Sequence, residues 1–115
     1  MANKAKPEVW TGERCFIAEL VNTPEWPELS LARTRVEPGV TTELHALDVL
    51  EFYVIERGEG QMRIGEREPF PVGPGDAVTI SQHEPQCITN TGARDLVFLC
   101  VCTPRFSQDG YTSLE

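Results

Sequence analysis

Short strand-like runs, separated by glycine and proline turns, constrain the fold of this chain more than any other feature. Residues 29–36 alternate between two faces, which is the pattern of a half-buried strand. Pro38-Gly39 and residues 73–76 have the composition of turns, and no segment shows convincing helical periodicity. The spacing predicts an all-β sandwich or barrel. The predicted strands are residues 15–20, 29–36, 50–56, 61–64, 66–70, 77–80, 86–90 and 96–102, with 61–64 and 66–70 forming a hairpin around Gly65.

The length and net charge of the chain favour a single domain and disfavour nucleic acid as a partner. A chain of 115 residues buries enough surface for one core, so a single domain over residues 1–115 is expected, with a loose tail at 1–8. A formal net charge of −8 disfavours nucleic acid, since binding to phosphate needs a basic surface. No apolar run reaches the roughly 18–20 residues of a membrane span, and the first residues do not resemble a signal peptide. The expectation is a cytoplasmic protein without nucleic-acid or membrane partners.

The four cysteines, at positions 15, 87, 100 and 102, do not have the spacing of a zinc site. Cys100 and Cys102 are two residues apart on one predicted strand, so they share a face at about 6.5–7 Å. That separation is poor for a disulfide. Four reduced thiols that serve mainly in packing are the simplest interpretation.

Two arginines, Arg33 and Arg35, share one face of the strand predicted at 29–36. Such a pair is a candidate for binding an anion. A solvated face or a contact between subunits is the alternative, and it is the more common arrangement.

Polar residues at characteristic spacing follow the Pro38-Gly39 turn. Gly39, His45, Glu51 and Gly58 are separated as in the first motif of the cupin family, G-x5-H-x-H-x3-E-x6-G, which this segment resembles. The position of the second histidine is occupied by Leu47. The match implies a barrel with a polar interior site, and the mismatch implies an atypical site.

A second segment resembles the second cupin motif, G-x5-P-x-G-x2-H-x3-N. Gly75 and Asn90 stand at their motif positions, whereas Ser81 and His83 replace the proline and the glycine. Gln86 stands where the family has its last metal-binding histidine. The two motifs, in this order, cover residues 36–90, about half of the chain.

The resemblance implies a double-stranded β-helix, or jelly-roll barrel, as a single cupin domain. In such a barrel His45, Glu51 and Gln86 would converge inside one end. If Glu51 points inward, the period of a strand also turns Tyr53 inward. The tail at 103–115 is expected to pack on the barrel or on a partner, and small cupins often pair, so a homodimer is expected.

A divalent metal is the first hypothesis for the site. By the resemblance, the ligands would be His45, Glu51 and Gln86, which favour Mn, Fe(II), Zn or Ni at reduced affinity. His83, in a nearby loop, is a possible replacement ligand. The chain would then be a metal-dependent oxygenase, lyase or isomerase acting on a small polar molecule.

Two alternatives remain open. In a metal-independent enzyme, His45 and Glu51 would form a general base and the group that orients it, with Tyr53 as the acid. Leu47 is easier to explain in such a pocket, because no fourth ligand is needed. In the other alternative, the chain is a small-molecule-binding domain without catalysis.

Overall fold

The structure of the protein, a computed structural model, describes residues 2–115, which form eleven strands and one turn of 3-10 helix. None of these residues belongs to a helix long and apolar enough to cross a membrane. The strands are β1 (Val9–Trp10), β2 (Phe16–Val21), β3 (Ser30–Val36), β4 (His45–Leu47), β5 (Leu50–Arg57), β6 (Gly60–Ile64), β7 (Phe70–Val72), β8 (Ala77–Ile80), β9 (Gln86–Asn90), β10 (Leu96–Thr103) and β11 (Tyr111–Ser113), and the 3-10 turn is Gln108–Gly110.

The strands form two antiparallel sheets. The larger has six strands in the order β1-β2-β3-β10-β5-β8, and the smaller has five in the order β11-β4-β9-β6-β7. Strands that are neighbours in a sheet are often distant in sequence, as in a jelly roll. The all-β double-stranded β-helix predicted from the sequence is therefore confirmed.

The core lies between the sheets, because each strand turns alternate side chains inward. In β5, Glu51, Tyr53 and Ile55 are buried, so Tyr53 shares the inward face of the strand with Glu51, as the strand period predicted. Full burial of an aliphatic or aromatic side chain contributes roughly 1.5–3 kcal/mol, so this cluster is the main source of stability. Its buried members are Cys15, Val36, Tyr53, Ile55, Met62, Ile64, Val72, Val78, Ile80, Ile88, Leu96 and Phe98.

The second strand of the predicted hairpin lies later than expected. Residues 65–69 form a turn that Gly65 enters at a φ of +55°, and the strand is Phe70–Val72. Its central residue is Pro71, which has no N–H to donate to a ladder. Pro71 is tolerated because β7 is at the edge of the smaller sheet.

The N-terminal segment contacts the larger sheet, and the C-terminal segment contacts both sheets. Between residues 2 and 8 there is no strand, but the Lys6 amide donates to the Glu19 carbonyl at 3.0 Å. At the other end, β11 pairs with β4, and the Phe106 amide donates to Ser30 Oγ at 2.8 Å. The segment 103–115 therefore closes one side of the smaller sheet.

The arginines of β3 are paired within the chain. Arg33 Nε is 2.9 Å from a Glu56 carboxylate oxygen, and Arg35 contacts carboxylates of Glu8 and Asp95 at 2.8 and 3.2 Å. Arg35 also lies over the Phe16 ring. Exposed pairs of this kind contribute at most about 1 kcal/mol each, but they leave little positive charge for an anion.

Candidate functional site

A cavity of about 680 Å³ lies between the sheets and is bordered by the segments 9–13 and 105–111. The larger sheet contributes Glu51, Tyr53 and Cys102 to its lining, and the smaller sheet contributes His45 and Tyr111. This volume is typical of a small-molecule site. The sequence predicted four site residues, and three of them, His45, Glu51 and Tyr53, line the cavity.

The fourth, Gln86, lies behind the cavity wall. It is fully buried and joins two lining residues: Tyr53 Oη donates to Gln86 Oε1 at 2.8 Å, and Gln86 Nε2 donates to Glu51 Oε1 at 2.9 Å. Strand register explains this grouping, because Glu51 pairs with Cys102 across β5 and β10, and His45 pairs with Gln86 across β4 and β9. Gln86 thus points inward, but both ends of its amide are already hydrogen-bonded.

Burial dominates the electrostatics of this network. It raises the pKa of Glu51 to about 7, although the hydrogen bonds from Gln86 and Cys102 act in the opposite direction. Burial also raises the pKa of Tyr53 well above its ordinary value, with the neighbouring Glu51 charge acting in the same direction. Tyr53 therefore keeps its proton and donates a hydrogen bond to Gln86.

His45 has one ring nitrogen fixed and one available. Its Nδ1 lies 2.7 Å from the Glu43 carbonyl oxygen, which can only accept, so Nδ1 carries the proton. Burial lowers the pKa of His45, while the Glu43 carbonyl and charge oppose this shift. The neutral imidazole therefore has an unprotonated Nε2, which is an acceptor of protons or a donor of electrons to a metal.

Glu13 is a site residue that the sequence did not single out. Its Oε1 lies 3.9 Å from His45 Nε2, which is too long for a direct hydrogen bond. Burial raises the pKa of Glu13 to about 7, and the charges of Glu51 and Glu43 add to the shift. Near neutral pH this carboxyl is therefore present in both forms.

The turn that carries Glu13 is held against the segment that leads into β4, the strand of His45. The Glu43 amide donates to the Glu13 carbonyl at 3.0 Å, and Arg14 Nε donates to the Thr41 carbonyl at 2.9 Å. Arg14 has a φ of +66°, an uncommon conformation for a residue other than glycine. Such strain persists only where surrounding contacts hold it, and it is often found at functional sites.

Tyr111 covers the other side of His45. The two rings are stacked, with centroids 4.8 Å apart and planes 13° from parallel. The Tyr111 hydroxyl donates to the Glu43 carboxylate. No motif pointed to Tyr111, because it reaches His45 only through the pairing of β11 with β4.

Leu47 and His83 have different surroundings. Leu47 lines the cavity two residues after His45 and packs with Val49, Cys102, Phe106 and Tyr111. His83 is exposed in the turn before β9, and its amide donates to the Leu47 carbonyl at 2.7 Å. The imidazole of His83 therefore does not line this cavity, whereas the Leu47 side chain does.

The proposed ligands do not fit a metal as they are arranged here. Gln86 Oε1 accepts from Tyr53, and Glu51 Oε1 accepts from Gln86, so two of the three donors already bond to protein groups. Within residues 2–115, no three histidine, cysteine, aspartate or glutamate side chains form a group that would hold a metal ion. The metal roles of His45, Glu51 and Gln86, and the catalytic roles of His45, Glu51 and Tyr53, stay predictions.

Three of the four cysteines line the cavity, and all four are free thiols. Burial raises the pKa of Cys15 to about 12, with the hydrogen bond to Thr11 opposing the shift, and burial raises the pKa of Cys100 and Cys102 as well. Because a thiolate is the reactive form, these thiols are poor nucleophiles. Cys15, Cys100 and Cys102 therefore contribute to the packing of the cavity lining.

Comparison with known families and structures agrees with this architecture. The family described as the cupin domain matches residues 32–102, more than half of the chain. No curated protein matches the chain. Among solved structures, an uncharacterized conserved protein with a double-stranded β-helix domain from Klebsiella pneumoniae is 15% identical, with a TM-score of 0.78 over 91% of this chain and 88% of that one.

Two structures with named activities are also similar. Oxalate decarboxylase from Bacillus subtilis is 22% identical, with a TM-score of 0.80, over 97% of this chain but only 30% of its own. The polyketide cyclase RemF from Streptomyces resistomycificus is 21% identical, with a TM-score of 0.75, over 98% of this chain and 80% of its own. Likeness at this level of identity establishes the fold and leaves the chemistry to the residues of the site.

Proposed function

This chain belongs to the cupin family, and from that premise we propose that it is a small enzyme that moves protons on a small polar molecule without a metal. The observation that carries the proposal is the 2.7 Å contact between His45 Nδ1 and the Glu43 carbonyl. It leaves Nε2 unprotonated and 3.9 Å from a carboxyl group that titrates near neutrality. A base and an acid therefore face each other in one cavity.

The mechanism assigns a different task to each group. His45 Nε2 removes a proton from a substrate C–H or O–H, and the protonated form of Glu13 returns a proton to another substrate atom. The imidazolium then passes its proton to the Glu13 carboxylate through one bridging water, so the enzyme ends in its starting protonation state. The net reaction is an isomerisation, or an elimination if the protonated atom departs.

Other residues support this pair. Tyr111 stacks on the imidazole and bonds Glu43, so it fixes the plane of the base. Glu51 raises the pKa of Glu13 by its charge, second to the effect of burial. Tyr53, whose hydroxyl is directed to Gln86, acts by positioning the Gln86 and Glu51 side chains rather than as the acid.

A generic base-sensitive substrate tests this function before the natural one is known. 5-Nitrobenzisoxazole is an uncharged ring compound whose acidic ring C–H takes the place of the donor that faces His45 Nε2. Removal of this proton breaks the N–O bond and releases a coloured phenolate. We expect turnover above the buffer rate that is lost in His45→Gln and kept after EDTA treatment. His83→Gln, at an exposed histidine, is the matched control.

A metal-dependent enzyme is the second candidate. It is favoured by the same Nε2 lone pair, which is the form of histidine that binds metals. If EDTA abolishes turnover and Mn, Fe(II), Zn or Ni restores it, this candidate replaces the first. If turnover is equal in the wild type and in His45→Gln, neither enzyme mechanism at His45 holds, and a binding domain without catalysis becomes the better interpretation.

A further inference from the structure

The charged side chains that line the cavity are mostly acidic. Four carboxyl groups line it, whereas Arg105 is the one lysine or arginine in its lining. Arg105 Nε donates to Asn22 Oδ1 at 2.7 Å, so part of its hydrogen-bonding capacity is already used. An anion placed here meets like charges in a partly desolvated space, where their repulsion is poorly screened. The four carboxyl groups belong to Glu13, Glu19, Glu43 and Glu51.

Above pH 7, where most of the Glu13 carboxyl is ionised, the available polar atoms at the centre are acceptors. His45 is only 3% exposed, and within the described residues its Nε2 has no hydrogen-bond partner. Glu13 Oε1 lies near it without bonding it, and the Tyr111 hydroxyl is already directed to Glu43. A ligand that satisfies this centre must therefore supply a donor, such as an O–H or N–H group.

Much of the remaining wall is apolar. Ile17, Leu31, Leu47, Phe98 and Phe106 all line the cavity. These side chains favour a hydrophobic body, because its transfer from water is worth roughly 25 cal/mol for each Å² that is buried. The volume of about 680 Å³ leaves room for a ring system larger than a two-carbon acid.

We propose that the cavity selects uncharged or cationic molecules that combine a hydrogen-bond donor with an apolar, ring-sized body, and that it rejects anions. This inference rests on the proposed function, since it concerns the substrate of the same site. It predicts that small carboxylates and phosphates are not the substrates of this chain. Hydroxylated or amino-substituted ring compounds are the class to search.

Four probes that share a benzene ring test the proposal. Benzyl alcohol and benzylamine carry a donor, methoxybenzene is uncharged but lacks one, and benzoate is an anion. Binding is followed at pH 8 by changes in the amide resonances of the cavity residues during NMR titration. We expect the alcohol and the amine to bind in the millimolar range, with benzoate and methoxybenzene each at least about tenfold weaker than the alcohol.

A charge variant separates electrostatic rejection from poor shape. Glu13→Gln removes one carboxylate from the cavity and keeps its size, so the affinity for benzoate should rise severalfold while that for benzyl alcohol changes little. Glu66→Gln removes a charge from an exposed turn and should leave both affinities unchanged.

Three outcomes would overturn the proposal: benzoate binds as well as benzyl alcohol, methoxybenzene binds as well as benzyl alcohol, or none of the four probes perturbs the cavity resonances. The result is distinguishable from the test of the proposed function, because these titrations measure binding without turnover. Donor-selective binding with no His45-dependent turnover leaves the ligand class standing and removes the enzyme. If turnover depends on His45 but benzoate binds as well as benzyl alcohol, the enzyme stands and the proposed ligand class is overturned.

Discussion

At the scale of single residues, Gln86 connects the two sheets through the polar network. Its amide bonds Tyr53 on one side and Glu51 on the other, and all three are buried. Buried polar groups cost about 1–3 kcal/mol each when they lose their partners. The identity of residue 86 is therefore set by two neighbours and does not require a metal.

Replacement of Gln86 by leucine should be strongly destabilising. Gln86→Leu keeps a similar volume but leaves the Tyr53 hydroxyl and the Glu51 carboxyl without their partner, so we expect the free energy of unfolding to fall by roughly 2–4 kcal/mol. Urea unfolding followed by fluorescence measures this loss. The control is Gln61→Leu, at an exposed position on β6, which should change stability by less than about 0.5 kcal/mol. Equal stability of Gln86→Leu and the wild type would show that the network does not form.

Leu47 offers a direct test of the metal hypothesis. Leu47→His adds an imidazole to the cavity two residues from His45, on the same face of β4. We expect it to tighten Zn²⁺ binding by about tenfold or more in calorimetric titration. Ala46→His places the same group on the other face of the strand and should have no such effect. Unchanged affinity in Leu47→His would show that this position does not serve a metal site.

At the scale of elements, long alternating runs were predictable and short strands were not. β3, β5, β6, β8, β9 and β10 lie within a residue or two of their predicted bounds, because each has enough residues to show its period. β1, β4 and β11 have two or three residues each, and such lengths carry no period. They form because neighbouring strands offer unpaired backbone groups, which the local sequence does not reveal.

The candidate site also contains residues that the sequence predicted and residues that it did not. The resemblance to the cupin motifs implied that His45, Glu51 and Gln86 lie inside the barrel, and all three are buried between the two sheets. Glu13 and Tyr111 lie outside both motifs. The turn at 11–15 and the pairing of β11 with β4 bring them to His45, and both are tertiary contacts.

The strand β11 should control the protonation of the site. Tyr111→Ala removes the ring that shields His45, so the burial that lowers the pKa of His45 is reduced and this pKa should rise toward its ordinary value. NMR titration of the His45 imidazole resonances in the wild type and in the variant measures the shift. Thr112→Ala, at the next and exposed position of β11, should leave the His45 titration in place. An unaltered curve in Tyr111→Ala would contradict the proposed shielding.

At the scale of the whole molecule, the formal net charge of −8 includes Glu51, whose carboxyl is buried, and Glu13, whose carboxyl lines the cavity. Because burial of an ionised carboxylate is costly, the pKa values of Glu13 and Glu51 are raised to about 7, so both carboxyl groups are partly protonated near neutral pH. The homodimer and the cytoplasmic location stay predictions, and sedimentation velocity would decide the first.

The contribution of Glu51 to stability should fall as the pH rises through the acid range. The pKa of Glu51 is about 7 in the folded state and near 4.5 when unperturbed, so the folded state holds the proton more tightly than the unfolded state. Between about pH 4.5 and 7 the wild type should lose stability relative to Glu51→Gln, on the order of 3 kcal/mol in total, and above pH 7 the difference should stay constant. Urea titrations at pH 4, 6 and 8 measure this difference, with Glu66→Gln as the surface control. Parallel stability profiles for Glu51→Gln and the wild type would contradict the raised pKa.

The contact between β4 and β9 has a consequence for the kinetics of ligand entry. These two strands share one paired position, but the residues before β4 continue the contact, because the Thr42 amide donates to the Ile88 carbonyl and the Asn90 amide donates to the Val40 carbonyl, both at 3.0 Å. A seam that is bonded along this length opens only at a high free energy. We expect molecules to enter instead past the segments 9–13 and 105–111 that border the cavity, at rates set by local motion of these segments. Changes in global stability would then leave the speed of exchange almost untouched.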